Sequence, residues 1–248
     1  MEAGSIIGII IFLVAVVIIL KFVKSVLKTL FIVSTLIGVV IFIFMIFFYQ
    51  DVSDFKTNFP IADKLILLRE DDTLLAGFKG AFTEGEQPDY IKDMSQYQDY
   101  YDKGDLDSIL EDNFKLFIID INVFERIDSA YLGEEEIKRD FAVSLIRSDT
   151  PFEDYAAYYI EKKGLPGAAA ESIEQQLSKE IGSETEFKGA IFASLFSAAT
   201  QQDALFLFTE YKNDNVLVYE ETILFKTLKK IPLILIKKFM PAQNGNTR

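Results

Sequence analysis

Residues 30–49 read LFIVSTLIGVVIFIFMIFFY, twenty residues without a charge. A helix needs about 20 apolar residues to cross a hydrocarbon core of about 30 Å, so this stretch is a spanning segment by length and composition. Working outward, residues 3–20 are also uncharged, and Lys21, Lys24 and Lys28 separate the two runs. Residues 3–23 are long enough to span if Lys21 extends its ammonium to the headgroups. The pattern predicts a transmembrane hairpin of two helices, about 3–23 and 29–50, joined by a short basic connection. A cleaved leader would need a positive start; the chain begins Met-Glu-Ala-Gly instead. The connection carries three lysines, against Lys56 and Lys64 in the flank that follows, where Asp51, Asp54 and Asp63 also lie. Basic connections stay in the cytoplasm. A two-pass protein of the cell membrane is expected, with both termini and the large domain extracytoplasmic. Gly4, Gly8, Ser34, Thr35 and Gly38 are small residues that let two helices pack closely. Neither segment has a charge at membrane depth, so nothing supports an ion path.

Composition excludes many activities. Of 248 residues, 50% are hydrophobic and 25% charged, and there is no His, Cys or Trp. That is not a disordered chain. Lack of His and Cys removes zinc fingers, iron–sulfur sites, Cys nucleophiles and Ser-His-Asp enzymes. No disulfide holds the protein together, and no Asn-x-Ser/Thr sequon occurs. The net charge of −13 is unevenly spread. Residues 51–221 hold 37 acids and 16 bases, a net −21, whereas the chain after Glu221 has six bases and no acid. An acidic body is a poor surface for nucleic acid.

Residues 51–241 are enough for one domain with a core, and residues 242–248 read as a frayed tail. Residues 64–69 (KLILLR) and 74–78 (LLAGF) predict two strands about a turn at Glu70-Asp71-Asp72-Thr73. Residues 79–104 read as loop and 106–111 as a short helix. Residues 114–121 (FKLFIIDI) form the clearest buried strand. Four helices are then expected. The first covers 134–147, with Ile137, Phe141 and Leu145 on one face and Glu134, Glu135 and Glu136 against the dipole. The second starts Thr150-Pro151-Phe152-Glu153 and stops at Gly164. The third spans 168–181. The last is capped by Ser183, with Phe187, Ile191 and Leu195 beside Phe192, Phe196 and Ala199, and its Ala and Ser positions suit close packing. Residues 204–210 (ALFLFTE) and 216–219 (VLVY) predict a second hairpin about Asn213-Asp214-Asn215. The order predicts an α+β domain: two hairpins and a central strand in one antiparallel or mixed sheet, with about four helices on one face.

Carboxylates crowd residues 89–107, and tyrosines lie between them. Asp99, Asp102, Asp105 and Asp107 are candidate oxygen ligands for a hard cation. Calcium-loop spacing is not met: with Gly104 at its sixth position, Tyr101, Lys103 and Leu110 fall on ligand positions. A solvated loop is expected. Tyr90, Tyr97, Tyr100 and Tyr101 are its candidates for binding a partner, since tyrosine offers rigid amphipathic area. Asp120 ends the central strand without a second carboxylate in register, and Ser172 and Ser178 with Lys179 read as a polar helix face. Gly77-Phe78-Lys79-Gly80 has neither Walker nor dinucleotide spacing. Two N-terminal spans followed by an outer domain resemble the topology of bacterial-type leader peptidases, but no Ser-x-Met motif follows the second span. The domain is also too helical for that all-β catalytic fold.

In the basic segment 222–241, Leu224, Leu228 and Ile231 lie opposite Lys226, Lys229 and Lys230. Pro232 then precedes an apolar run ending in Lys237 and Lys238. Together with Lys21, Lys24 and Lys28, these lysines are candidates for the membrane interface. The competing reading packs the segment on the domain. The sequence thus predicts a membrane-anchored protein whose acidic domain binds a protein partner or self-associates at the bilayer surface, with no cofactor. The alternative is a tethered hydrolase or transferase using carboxylates and a divalent metal.

Overall fold

A computed structural model describes residues 3–81 and 87–232. The chain divides into two units, Met1–Val52 and Ser53–Arg248. The first is formed by helix α1 (Ala3–Asn58), whose last turns enter the second unit. It runs unbroken through residues 21–28, where the sequence predicts a turn. Nothing there breaks a helix: residues 20–29 contain no Gly or Pro, and the three lysines recur at helical spacing. Its threonine hydroxyls bond back to the helix; Thr29 Oγ1 donates to Ser25 O at 3.1 Å and Thr35 Oγ1 to Phe31 O at 2.8 Å. The helix is long and apolar enough to cross a membrane, and none of its most apolar window is buried.

The second unit is α+β with a mixed five-stranded sheet, ordered β3-β2-β1-β4-β7. Strands β1 (Lys64–Glu70) and β2 (Thr73–Gly80) form the expected hairpin, with Asp71 at φ 52° in its turn. Asp tolerates that left-handed conformation. Short β3 (Asp89–Tyr90) adds to the outer side of β2. The central strand β4 (Lys115–Asp120) pairs parallel with β1, setting Lys64 beside Lys115 and Arg69 beside Asp120.

Helices lie on both faces of this sheet, not on one. Ile66, Leu68, Phe117 and Ile119 face one core; Leu65, Leu67, Leu116 and Ile118 face another. A strand covered on both sides reads as a continuous apolar run, as β1 does. The second core is closed by α2 (Ser95–Asp102) and α3 (Leu106–Leu110). The sequence of α2, SQYQDYYD, looked like loop because only Tyr97 is buried.

Two further expectations fail. Residues 134–138 are not helical. They belong to a separate hairpin, β5 (Ser129–Leu132) and β6 (Glu135–Lys138), which turns at Gly133 with φ 62°. Helix α4 (Arg139–Arg147) begins only after it. Ile137 is fully buried, but from a strand opposite Ala130. The three glutamates therefore compensate no helix dipole. Glu135 instead pairs with Lys162 at 3.0 Å and with Lys163, and Ser129 Oγ donates to Glu136 at 2.5 Å.

Helices α5 (Pro151–Lys163) and α6 (Ala170–Ile181) follow as expected, with Gly164 left-handed at φ 64°. Thr150 makes no side-chain cap. Helix α7 (Glu184–Gln202) has the full capping box: Glu186 N donates to Ser183 Oγ at 3.2 Å and Ser183 N to Glu186 Oε2 at 2.8 Å. It lies so close to the sheet that a Cβ on Gly189 would meet Gly77 O at 2.8 Å. Residues 204–210 are not a strand. Asp203 Oδ1 accepts from Leu205 N at 2.9 Å, and α8 (Phe206–Lys212) follows. An apolar run this short has no readable period. Strand β7 (Val216–Tyr219) therefore has no hairpin partner before it and pairs antiparallel with β4. Helix α9 (Ile223–Lys230) comes last. Residues 233–248, with Lys237 and Lys238 and the expected frayed end, lie outside the described residues.

Candidate functional site

The structure separates the four candidate tyrosines. Tyr97, Tyr100 and Tyr101 lie on α2, and their hydroxyls are engaged within the domain. Tyr97 donates to Glu111 Oε1 at 3.1 Å, Tyr101 accepts from Arg69 Nη1 at 3.0 Å and Tyr100 accepts from Gln96 Nε2 at 3.3 Å. Burial pushes the Tyr97 phenol up. The Tyr101 contact ties α2 to β1 and the Tyr97 contact ties it to the end of α3. Its Gln98 completes the attachment by accepting from Leu74 N at 2.7 Å and donating to Asp72 O at 2.9 Å. That also covers part of the outer edge of β2.

The candidate acidic ligands are used locally. Asp105 caps α3, accepting from Ser108 N at 3.2 Å and Oγ at 2.7 Å, and the Ser108 hydroxyl holds its carboxyl below the usual range. Asp102 accepts from Gln98 at 2.6 Å, and Asp107 from the Tyr219 hydroxyl at 2.6 Å. Asp99 is on α2. Among the described residues, no three acidic side chains form a group that would hold a metal ion. Asp120 caps the following 3₁₀ turn and faces Arg69 Nε at 3.9 Å.

Helix α9 is fastened to the domain. Phe225 is buried among Phe55, Phe117, Phe208 and Tyr211. Lys212 Nζ donates to the carbonyls of Leu228, Lys229 and Ile231 at 3.1, 2.7 and 2.7 Å, placing a cation at the negative end of the helix. Lys229 reaches Asp214 at 2.7 Å and lies over the Tyr211 ring at 4.6 Å, while Lys226 is 4.0 Å from Glu221. Two of the three described α9 lysines thus face acids of the domain.

Tyr90 lines a groove of about 360 Å³ at the β3 side of the sheet. Ala190, Ala193, Ser194 and Ser197 of α7 form one side, and Tyr131, Leu132 and Gly133 of the β5–β6 hairpin another. Phe78 and Phe196 supply apolar area, and Ser194 Oγ donates to Tyr131 O. Tyr131 is 62% exposed, one of few large apolar side chains on the domain surface. A second trough of about 290 Å³ shares Gly80 and Ala81 with this groove and is lined by Asp63 and Asp89. Its one cation, Lys79, is paired with Glu111 at 2.5 Å. Of the groove's lining the sequence singles out Tyr90 as a binding candidate and nothing else; the Ala/Ser series of α7 reads only as helix packing. Compared with known proteins, the chain matches no family model, no curated protein and no solved structure.

Proposed function

We propose that this protein is a membrane-anchored interaction module: α1 holds it in a bilayer, and its acidic domain binds a protein partner, or assembles, at the membrane surface. One observation carries the reading. The side chains of α1 are exposed throughout residues 17–47, with Phe22 at 70% and Phe31 at 74%, in the same chain as a domain with two closed cores. Exposed apolar area on that scale, over a stretch long enough to cross a bilayer, supports a lipid environment. The acid excess of residues 51–221 favours a basic partner. The carboxylate-and-metal alternative gains no support: Asp105 caps α3, Asp102 accepts from Gln98 and Asp107 accepts from Tyr219.

Length favours more than one pass. At 1.5 Å per residue, the 56 residues of α1 would measure about 84 Å if straight, far more than one bilayer crossing. We propose two passes in the bilayer: residues 21–28, helical in the structure, open into a turn there, with Lys21, Lys24 and Lys28 in the cytoplasm and the domain outside. The native chain has no Cys, so single cysteines report cleanly. On intact cells an impermeant maleimide should label Ser5→Cys and Ser172→Cys, and Ser25→Cys only after permeabilisation. Opposite sides for positions 5 and 172 would establish a single pass. Crosslinking in the same cells should give a product larger than the monomer; a monomer alone would refute the interaction module.

A further inference from the structure

Resting on the interaction reading, we infer that the groove beside β3 is the docking site for an extended segment of a partner protein carrying an apolar residue next to Lys or Arg. Strand β3 ends the sheet on that side, and among the described residues no strand pairs with its outer edge. Such an edge offers main-chain donors and acceptors to an incoming strand, while neighbouring pockets select its side chains. Here the pockets differ in chemistry. Phe78, Phe196 and Leu132 with the small residues of α7 make an apolar slot, framed by Tyr90 and Tyr131. A volume of about 360 Å³ suits one or two large side chains. Across Gly80 and Ala81, the adjoining trough presents Asp63 and Asp89, and its lysine is already paired with Glu111. A chain passing over that strand end meets apolar surface first and carboxylates next. The −21 of the surrounding body adds a field of the same sign.

The groove contrasts with the tyrosine-rich α2 surface, where the hydroxyls are already committed to Glu111, Arg69 and Gln96. In the groove Tyr131 is exposed in advance of binding. Exposed tyrosine beside a slot is the composition that interface centres favour.

The test pans a phage-displayed library of linear twelve-residue peptides against the full-length protein in nanodiscs of zwitterionic lipid. Enriched peptides should carry an aromatic or aliphatic residue within about three positions of Lys or Arg, the reach of adjoining pockets along a strand. The best peptide, made synthetically, should lose at least about tenfold in affinity on Tyr131→Glu or Ala193→Trp. Asp63→Asn with Asp89→Asn should weaken it by roughly threefold to tenfold and flatten its salt dependence. Tyr131→Glu changes an exposed side chain, so it keeps the test valid if Ala193→Trp fails to fold. No enrichment, acidic winners, or winners indifferent to all these changes would overturn the docking site. A cellular partner crosslinked on the α2–α3 surface, with panning negative, would remove the groove and leave the interaction module standing. Peptides bound at the groove with no cellular crosslink would do the reverse.

Discussion

Residues 65–68 and residues 30–49 are both uninterrupted apolar runs, and they meet opposite environments. Leu65, Ile66, Leu67 and Leu68 have no exposed surface, whereas Phe31 is 74%, Val40 64% and Phe42 67% exposed. Hydrophobicity does not separate the two. The strand is covered because its side chains alternate between two cores, each closed by helices. The helix points apolar residues in every direction, and one flanking element could cover only a stripe of it. A helix apolar all round calls for cover on every side, in the core of a large assembly or in a membrane. The difference teaches that the domain is held by its own packing, whereas residues 30–49 find no cover within the chain, which is what the proposed membrane anchor would explain.

The sharpest way to break this contrast is to remove matched aromatic side chains from each. Phe225→Ala deletes a ring that is 2% exposed and packed on four aromatic neighbours. It should lower domain stability by about 3–5 kcal/mol, read by denaturant unfolding in nanodiscs. Phe31→Ala should leave that transition in place. A shift of comparable size from Phe31→Ala would show that residues 30–49 share the domain's core.

A smaller effect sharpens the domain side. Lys64 is fully buried beneath the Phe59 ring at 4.9 Å and donates to Ala62 O at 2.6 Å. Burial lowers its pKa from 10.5 to about 8, although the Asp63 charge opposes the shift. In the unfolded chain the ammonium keeps its proton to higher pH. Between about pH 8 and 10.5 the unfolded state therefore binds more protons, and stability rises with pH. At pH 7 the buried charge is a cost. Lys64→Met should raise stability there by about 2 kcal/mol and abolish the rise above pH 8. A pH profile unchanged by the substitution would refute this account.

The lysine row of α9 is the next point of comparison, because it resembles the row of α1 in sequence. Lys21, Lys24 and Lys28 lie on an exposed helix, whereas α9 is held by Lys212 through three carbonyls. Lys212→Met should cost about 1–2 kcal/mol. It should also speed amide exchange in α9 without altering α7. Equal exchange in both variants would mean that Phe225 alone fastens the helix.

Local signals explain which parts of this fold were legible. The β1–β2 turn, the β4 run and the Ser183 cap are each stated within a few adjacent residues. Helix α2 was not legible, since one buried tyrosine among eight mostly polar residues carries no period. Ile137, Phe141 and Leu145 have helical spacing, but Gly133 ends a strand before them and Ile137 is buried from the next strand. The groove was hidden for another reason. Its lining comes from residues 78–81, 88–90, 131–133 and 190–197, which only the sheet and α7 bring together.

The smallest predicted effect tests whether the cap that could be read in the sequence also matters in the fold. Ser183 Oγ accepts from Glu186 N, and the Glu186 carboxylate accepts from Ser183 N, so two otherwise unpaired amides at the start of α7 are satisfied reciprocally. Ser183→Ala removes the hydroxyl and leaves the Glu186 contact to the backbone. It should cost about 1 kcal/mol. Because α7 forms one side of the groove and packs on β2 at Gly189, fraying of its first turn is several turns removed from Ala193 and Ser197. Peptide affinity at the groove should therefore stay within about twofold while the unfolding midpoint falls. If affinity fell tenfold with so small a loss of stability, the first turn of α7 would have to be part of the binding surface, and the groove would extend along the helix toward Glu186 and Lys92.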